Sequence, residues 1–127
     1  MRGINKFFKC DICGNMTGLI TDMGIPMVCC GKKMTVLVPN TTEASTEKHL
    51  PAVTVSGGGL SVQVGSVLHP MEEAHFIGFV YVETERGGQR KSFTPGAEPK
   101  CDFCFTDDKP VAVYAFCNQH GLWQTEV

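Results

Sequence analysis

An all-β chain is predicted, a small cysteine-rich module leading into an immunoglobulin-like sandwich, on three observations. From about residue 50 onward, short runs rich in valine, isoleucine and aromatic residues alternate with glycine, proline and aspartate turns, the texture of strands. No stretch repeats apolar residues at helical spacing over the ~11 residues a convincing amphipathic helix needs. Residues 1–38 hold four of the seven cysteines, and a segment below ~40 residues usually needs a metal, disulfides or a partner to fold.

Taken in order, Cys10-Asp11-Ile12-Cys13-Gly14 has the spacing of a metal knuckle, and Cys29-Cys30-Gly31 follows after fifteen intervening residues. A glycine just after the second cysteine permits the turn that points backbone N–H groups at sulfur. Residues 32–38 read as one strand leaving the module, and 39–46, with a proline and small polar residues, as a linker. The boundary divides the chain into 1–38 and 39–127. Residues 51–56 and 60–65 flank Gly57-Gly58-Gly59 as a hairpin. Residues 76–84 are apolar on both alternating faces at first, as a central strand is. A turn at 86–89, a short polar strand at 90–94 and a loop at 95–99 follow. Residues 101–106 are expected to pair with 111–117 across 107–110, giving about seven strands, the count of an immunoglobulin-like sandwich.

Charge and composition narrow the function classes. A net charge of −2 gives no general electrostatic reason to bind nucleic acid or an anionic membrane. No segment approaches the ~18 apolar residues of a membrane span, and the opening has no apolar core of a signal peptide. The chain is therefore expected to be soluble and cytoplasmic, where seven cysteines favour metal ligation over a disulfide framework.

Two constellations carry the chemistry. Cys10, Cys13, Cys29 and Cys30 can enclose one tetrahedral ion, a strong signal for metal and a weak one for which metal. A zinc ribbon fits the spacing too, although the adjacent Cys29-Cys30 favours a distorted, redox-tuned site. The second constellation centres on Cys117-Asn118-Gln119-His120, a thiolate and an imidazole three residues apart after an apolar strand, a donor pair suited to zinc, copper or iron. The chain's other histidines, His49, His69 and His75, each stand at the edge of an apolar run, where strand ends would deliver them to a common rim. Solvated loop histidines are the bland alternative for His69 and His75, which a helical turn over 71–74 would bring to one side. Cys101 and Cys104 also have knuckle spacing, but residues three apart on a strand face opposite ways, so they read as half-buried small residues. Trp123 is either core or a lid under the metal site.

Together, Cys10-x-x-Cys13, Cys29-Cys30, Glu47-Lys48-His49, His69-Pro70-Met71-Glu72-Glu73-x-His75 and Cys117-Asn118-x-His120-Gly121-x-Trp123 resemble desulfoferrodoxin, the two-iron superoxide reductase family, from about residue 7 to 124. The resemblance implies a desulforedoxin-like domain with an Fe(Cys)4 centre on Cys10, Cys13, Cys29 and Cys30. It implies a second, square-pyramidal Fe(His)4(Cys) centre with His49, His69, His75 and His120 in the plane and Cys117 axial. It further implies a homodimer that takes electrons from a rubredoxin-like donor and reduces superoxide to hydrogen peroxide without evolving oxygen. Gln119 departs from the pattern, standing where the family tends to have an aliphatic residue, and Cys101 is not a family position.

On that reading Lys48 steers the anionic substrate to the site, Glu47 closes the ferric site, and the Cys117 thiolate pushes electron density across the metal, as in cysteine-ligated haem. Without the resemblance, Glu47 and Lys48 are a solvated pair worth under ~1 kcal/mol. Two other classes compete: a two-iron electron-transfer protein, which gains nothing from an open coordination position, and a zinc-stapled interaction module, which would be colourless.

Overall fold

The computed structural model describes residues 7–127; the opening residues read above as lacking an export segment lie partly outside them. The fold divides between Val38 and Pro39 into two compact units. In the first, β1 (Phe7–Lys9) is flanked by β2 (Met16–Gly18) and β5 (Thr35–Val36), while β3 (Val28–Cys29) and β4 (Lys32–Lys33) form a separate hairpin. The single strand expected over 32–38 is therefore two. Met34 between them donates its N–H to Met27 O at 2.8 Å, which turns the chain from one ladder to the other.

The second unit is a sandwich of seven strands. β6 (Pro51–Ser56), β7 (Gly59–Val64) and β10 (Lys100–Cys104) form one sheet in the order β10-β7-β6; β8 (Ile77–Thr84), β9 (Gly87–Ser92), β11 (Pro110–Cys117) and β12 (Gly121–Glu126) form the other in the order β12-β11-β8-β9. Alternation drives the packing. Leu60, Val62, Val64 and Phe103 from the first sheet meet Ile77, Val80, Val82, Val113, Ala115 and Cys117 from the second in one buried cluster, each large side chain worth ~1.5–3 kcal/mol of removal from water. The two open edges are tied across. Gln89 Nε2 donates to Cys104 O at 2.8 Å, Lys91 Nζ to Asp102 O, and on the other side Thr125 Oγ1 to Pro51 O at 2.7 Å.

The hairpin at the glycine run forms with Gly57 and Gly58 at its tip, φ 41° and 69°, the left-handed pair a two-residue turn requires. Elsewhere the expected elements shift. The turn after β8 occupies only Glu85 and Arg86, since Thr84 already faces Gly87. β10 pairs with β7, not β11. Lys100, Asp102 and Cys104 are exposed, which suits an edge strand, whereas β11 is buried from Ala112 to Cys117 and takes the centre between β8 and β12. The turn expected over 71–74 is not helical: Met71 O accepts from Gly96 N at 2.7 Å, and Glu72 and His75 exchange both backbone bonds, at 3.0 and 3.1 Å. The one helix among the described residues, α1 (Thr46–His49), begins where linker was expected. Tertiary bonds hold it, because Glu47 O accepts from Val67 N at 3.0 Å and from Ser66 Oγ at 3.2 Å. No helix of the described residues is long and apolar enough to cross a membrane.

Candidate metal centres

In the first unit the sulfurs of Cys10, Cys13, Cys29 and Cys30 all lie within 4.8 Å of one another. The knuckle turn aims N–H groups at them. Ile12 N and Cys13 N reach Cys10 Sγ, and Asn15 N reaches Cys13 Sγ, each at 3.4 Å. Adjacent side chains on a strand diverge; Cys30 avoids this with φ 54°, a left-handed backbone that turns its thiol back beside Cys29, Sγ to Sγ 3.9 Å. The N–H groups of Cys13 and Ile12 draw the Cys10 thiol down to about 6, while Cys30, crowded by the sulfurs of Cys13 and Cys10, is pushed up to about 12. One protonation state does not suit all four; a cation among them does.

In the second unit His49 ends α1, His69 and His75 lie in the β7–β8 connection, and Cys117 and His120 bracket the β11–β12 turn. Those elements bring five donors together. Ring centroids run 4.6 Å from His49 to His69, 4.6 Å to His75, 5.1 Å to His120 and 4.9 Å back to His49, each ring steeply inclined to the next. The diagonal from His49 to His75 is 6.3 Å, so the four imidazoles make a near-square. Cys117 Sγ, fully buried, lies 3.8 Å from His120 Nδ1. Burial pushes its thiol up, opposed by N–H groups of Gln119 and His120.

Tautomers decide what this square wants. His49 Nδ1 contacts Ser45 O and His69 Nδ1 contacts Pro70 O, both at 2.7 Å. A carbonyl only accepts, so each Nδ1 carries the proton. Burial holds both rings neutral, lowering His49 and taking His69 down to about 4. Their Nε2 atoms are therefore bare lone pairs only 3.2 Å apart. His75 Nε2 is buried with no partner. Lone pairs this close repel unless a cation sits between them, and 3.2 Å is near the edge spanned by adjacent donors on an ion with bonds of ~2.1 Å. The residues present fit a resident metal.

Trp123 proves to be both core and lid. It is buried, stacked on His49 at 5.0 Å and 28°, and its Nε1–H donates to His120 O at 3.1 Å. Glu47 and Lys48 are exposed on α1 just before His49. Cys101 is half-buried against the sandwich core and Cys104 exposed. Sequence reasoning missed the carbonyls of Ser45 and Pro70, which carry no side-chain signal. It also missed Gly65, where a Cβ would collide with Glu47 O; its glycine was the only clue.

The fold and donor sets together define a two-centre non-haem metalloprotein, one centre all thiolate and the other imidazole with a single thiolate. The desulfoferrodoxin family model matches residues 41–126. A desulfoferrodoxin homologue from Archaeoglobus fulgidus is 39% identical over 98% of this chain and 99% of its own length. The desulfoferrodoxin of Syntrophotalea carbinolica is 40% identical over 95% of each. The crystal structure of superoxide reductase from Treponema pallidum superposes with TM-score 0.80 at 34% identity, covering 95% of this chain and 98% of that one. The chain belongs to the desulfoferrodoxin family, and its all-cysteine group and its histidine-rich group match that family's two iron centres.

Proposed function

We propose that the chain is a superoxide reductase: superoxide takes up one electron and two protons and leaves as hydrogen peroxide. The observation that carries this reading is the convergence of four imidazoles and one buried thiol beside an exposed lysine. His49, His69, His75, His120 and Cys117 would hold the iron of the second centre, which when bound would supply the electron.

The rest is done by the chain's own groups. Lys48 lies close enough for its charge to bear on both His49 and His75, and draws the anionic substrate towards them. His75 and His120 are only partly buried, so approach is from their side, while Cys117 lies within the core. Glu47, the exposed carboxylate two residues before His49, would close the ferric site.

Exposure of Cys13 and Cys30 favours the first centre as an electron entry point, fed by a small rubredoxin-like carrier. If both centres only relay electrons, the five-donor site gains nothing from Lys48. The test is peroxide formed per superoxide consumed by protein carrying two irons, with oxygen followed in parallel. One peroxide per superoxide without oxygen supports a reductase; oxygen evolution, or no reaction, overturns it.

A further inference from the structure

The four imidazoles of the second centre are not held alike. His49 and His69 each have the outer ring nitrogen bonded to a carbonyl, from Ser45 and Pro70 at 2.7 Å. His75 has its Nε2 buried and unbonded. The backbone on either side of it is what is fixed. Asn118 Nδ2 donates to Ala74 O at 3.1 Å, Asn118 Oδ1 accepts from Phe76 N–H at 2.9 Å, and Asn118 N–H donates to Phe76 O at 3.2 Å. One carboxamide thus grips the residues before and after His75. Gln119 Nε2 then donates to the same Ala74 O at 2.6 Å, filling the carbonyl's second lone pair. Both amides belong to the turn between Cys117 and His120.

We propose that Asn118 and Gln119 are positioning residues that lock His75 to the Cys117–His120 turn, so that three of the five donors keep one fixed geometry. The Gln119 contribution uses an amide where an aliphatic side chain offers no donor. The inference deepens the proposed function, since it rests on the second centre holding iron, but it concerns retention of the metal and not the reaction with superoxide.

The experiment follows release of ferrous iron from each centre of the two-iron protein to an excess of chelator. Gln119→Leu and the near-isosteric Gln119→Glu, whose carboxylate cannot donate, should each speed release from the second centre about threefold, less than the ~10–100-fold that loss of an outer hydrogen bond to a ligand itself costs. Asn118→Asp keeps the acceptor for Phe76 N–H and should fall between wild type and Asn118→Ala. Release from the all-cysteine centre and the unfolding midpoint of the metal-free chain should match wild type. Equal release rates in variants and wild type overturn the proposal, as does equal acceleration at both centres or a lowered metal-free midpoint that accounts for the change. A wild-type protein that forms no peroxide, yet keeps its second iron longer than the variants, would sink the superoxide reading and leave the clamp standing.

Discussion

His49 Nε2 and His69 Nε2 face each other at 3.2 Å because each ring has already committed its only proton to a carbonyl. That commitment is local, yet it decides what the whole site can hold. Cys117 offers the one soft sulfur donor of that group, and it has no substitute within the cluster. Cys117→Ser is expected to fold and to keep iron on His49, His69, His75 and His120, but to lose the visible colour of a thiolate-bound ferric ion and most peroxide formation, since a hydroxyl is a far poorer donor. Visible absorption, iron content and peroxide yield check it; full activity with colour intact would remove Cys117 from the ligand set. Lys48→Ala should slow the second-order reaction with superoxide several-fold and flatten its salt dependence, because an exposed cation acts over only ~8 Å at physiological ionic strength. Stopped-flow rates at two salt concentrations decide, with equal rates and slopes returning Lys48 to the solvated surface.

Helix α1 is a single turn with no side-chain cap from Ser45, and on its own four residues would not hold together. It is seated from outside. Gly65 lets the β7–β8 connection press against the carbonyl of Glu47, while Ser66 and Val67 bond that same oxygen. Gly65→Ala should therefore displace α1, destabilising the second unit by ~1–3 kcal/mol as overpacking does and loosening the iron held by His49, with the all-cysteine centre untouched. Denaturant unfolding and iron content measure both effects; unchanged values would show that the helix is seated by other contacts. The same element marks the limit of legibility. The hairpin at Gly57-Gly58 was readable because glycine, turn length and flanking alternation all act within a few residues. The helical turn of α1 went unread, its first residue falling in the expected linker, because its bonds come from residues some twenty positions away. β10 was paired with the wrong neighbour for a related reason: chain proximity favoured β11, but an exposed edge strand and a strand buried on both faces seek different places in a sheet. The cysteines and histidines that gather into the two groups were legible since their chemistry is rare in a chain with four histidines, whereas the carbonyls that fix the histidine tautomers belong to every residue alike.

At the scale of the whole molecule, the two units fold on different grounds. The second buries a continuous apolar cluster; the first leaves Ile20, Met23 and Ile25 largely exposed and gathers its order around four sulfurs. Cys13→Ser should thus abolish or severely perturb the first centre while the second keeps its iron and its reaction with superoxide. Iron per chain and peroxide yield test this, and loss of both irons would show that the units are interdependent. The sole tryptophan of the chain carries a further consequence. Trp123 lies flat against His49 and bonds the carbonyl of His120, so its indole packs directly on one ring of the second centre. An open-shell ion there drains the excited state, and a chain without one lets it emit. The protein accordingly carries its own optical gauge of maturation: ultraviolet fluorescence, faint in the loaded protein and bright in the empty one, would count filled second centres without any added dye.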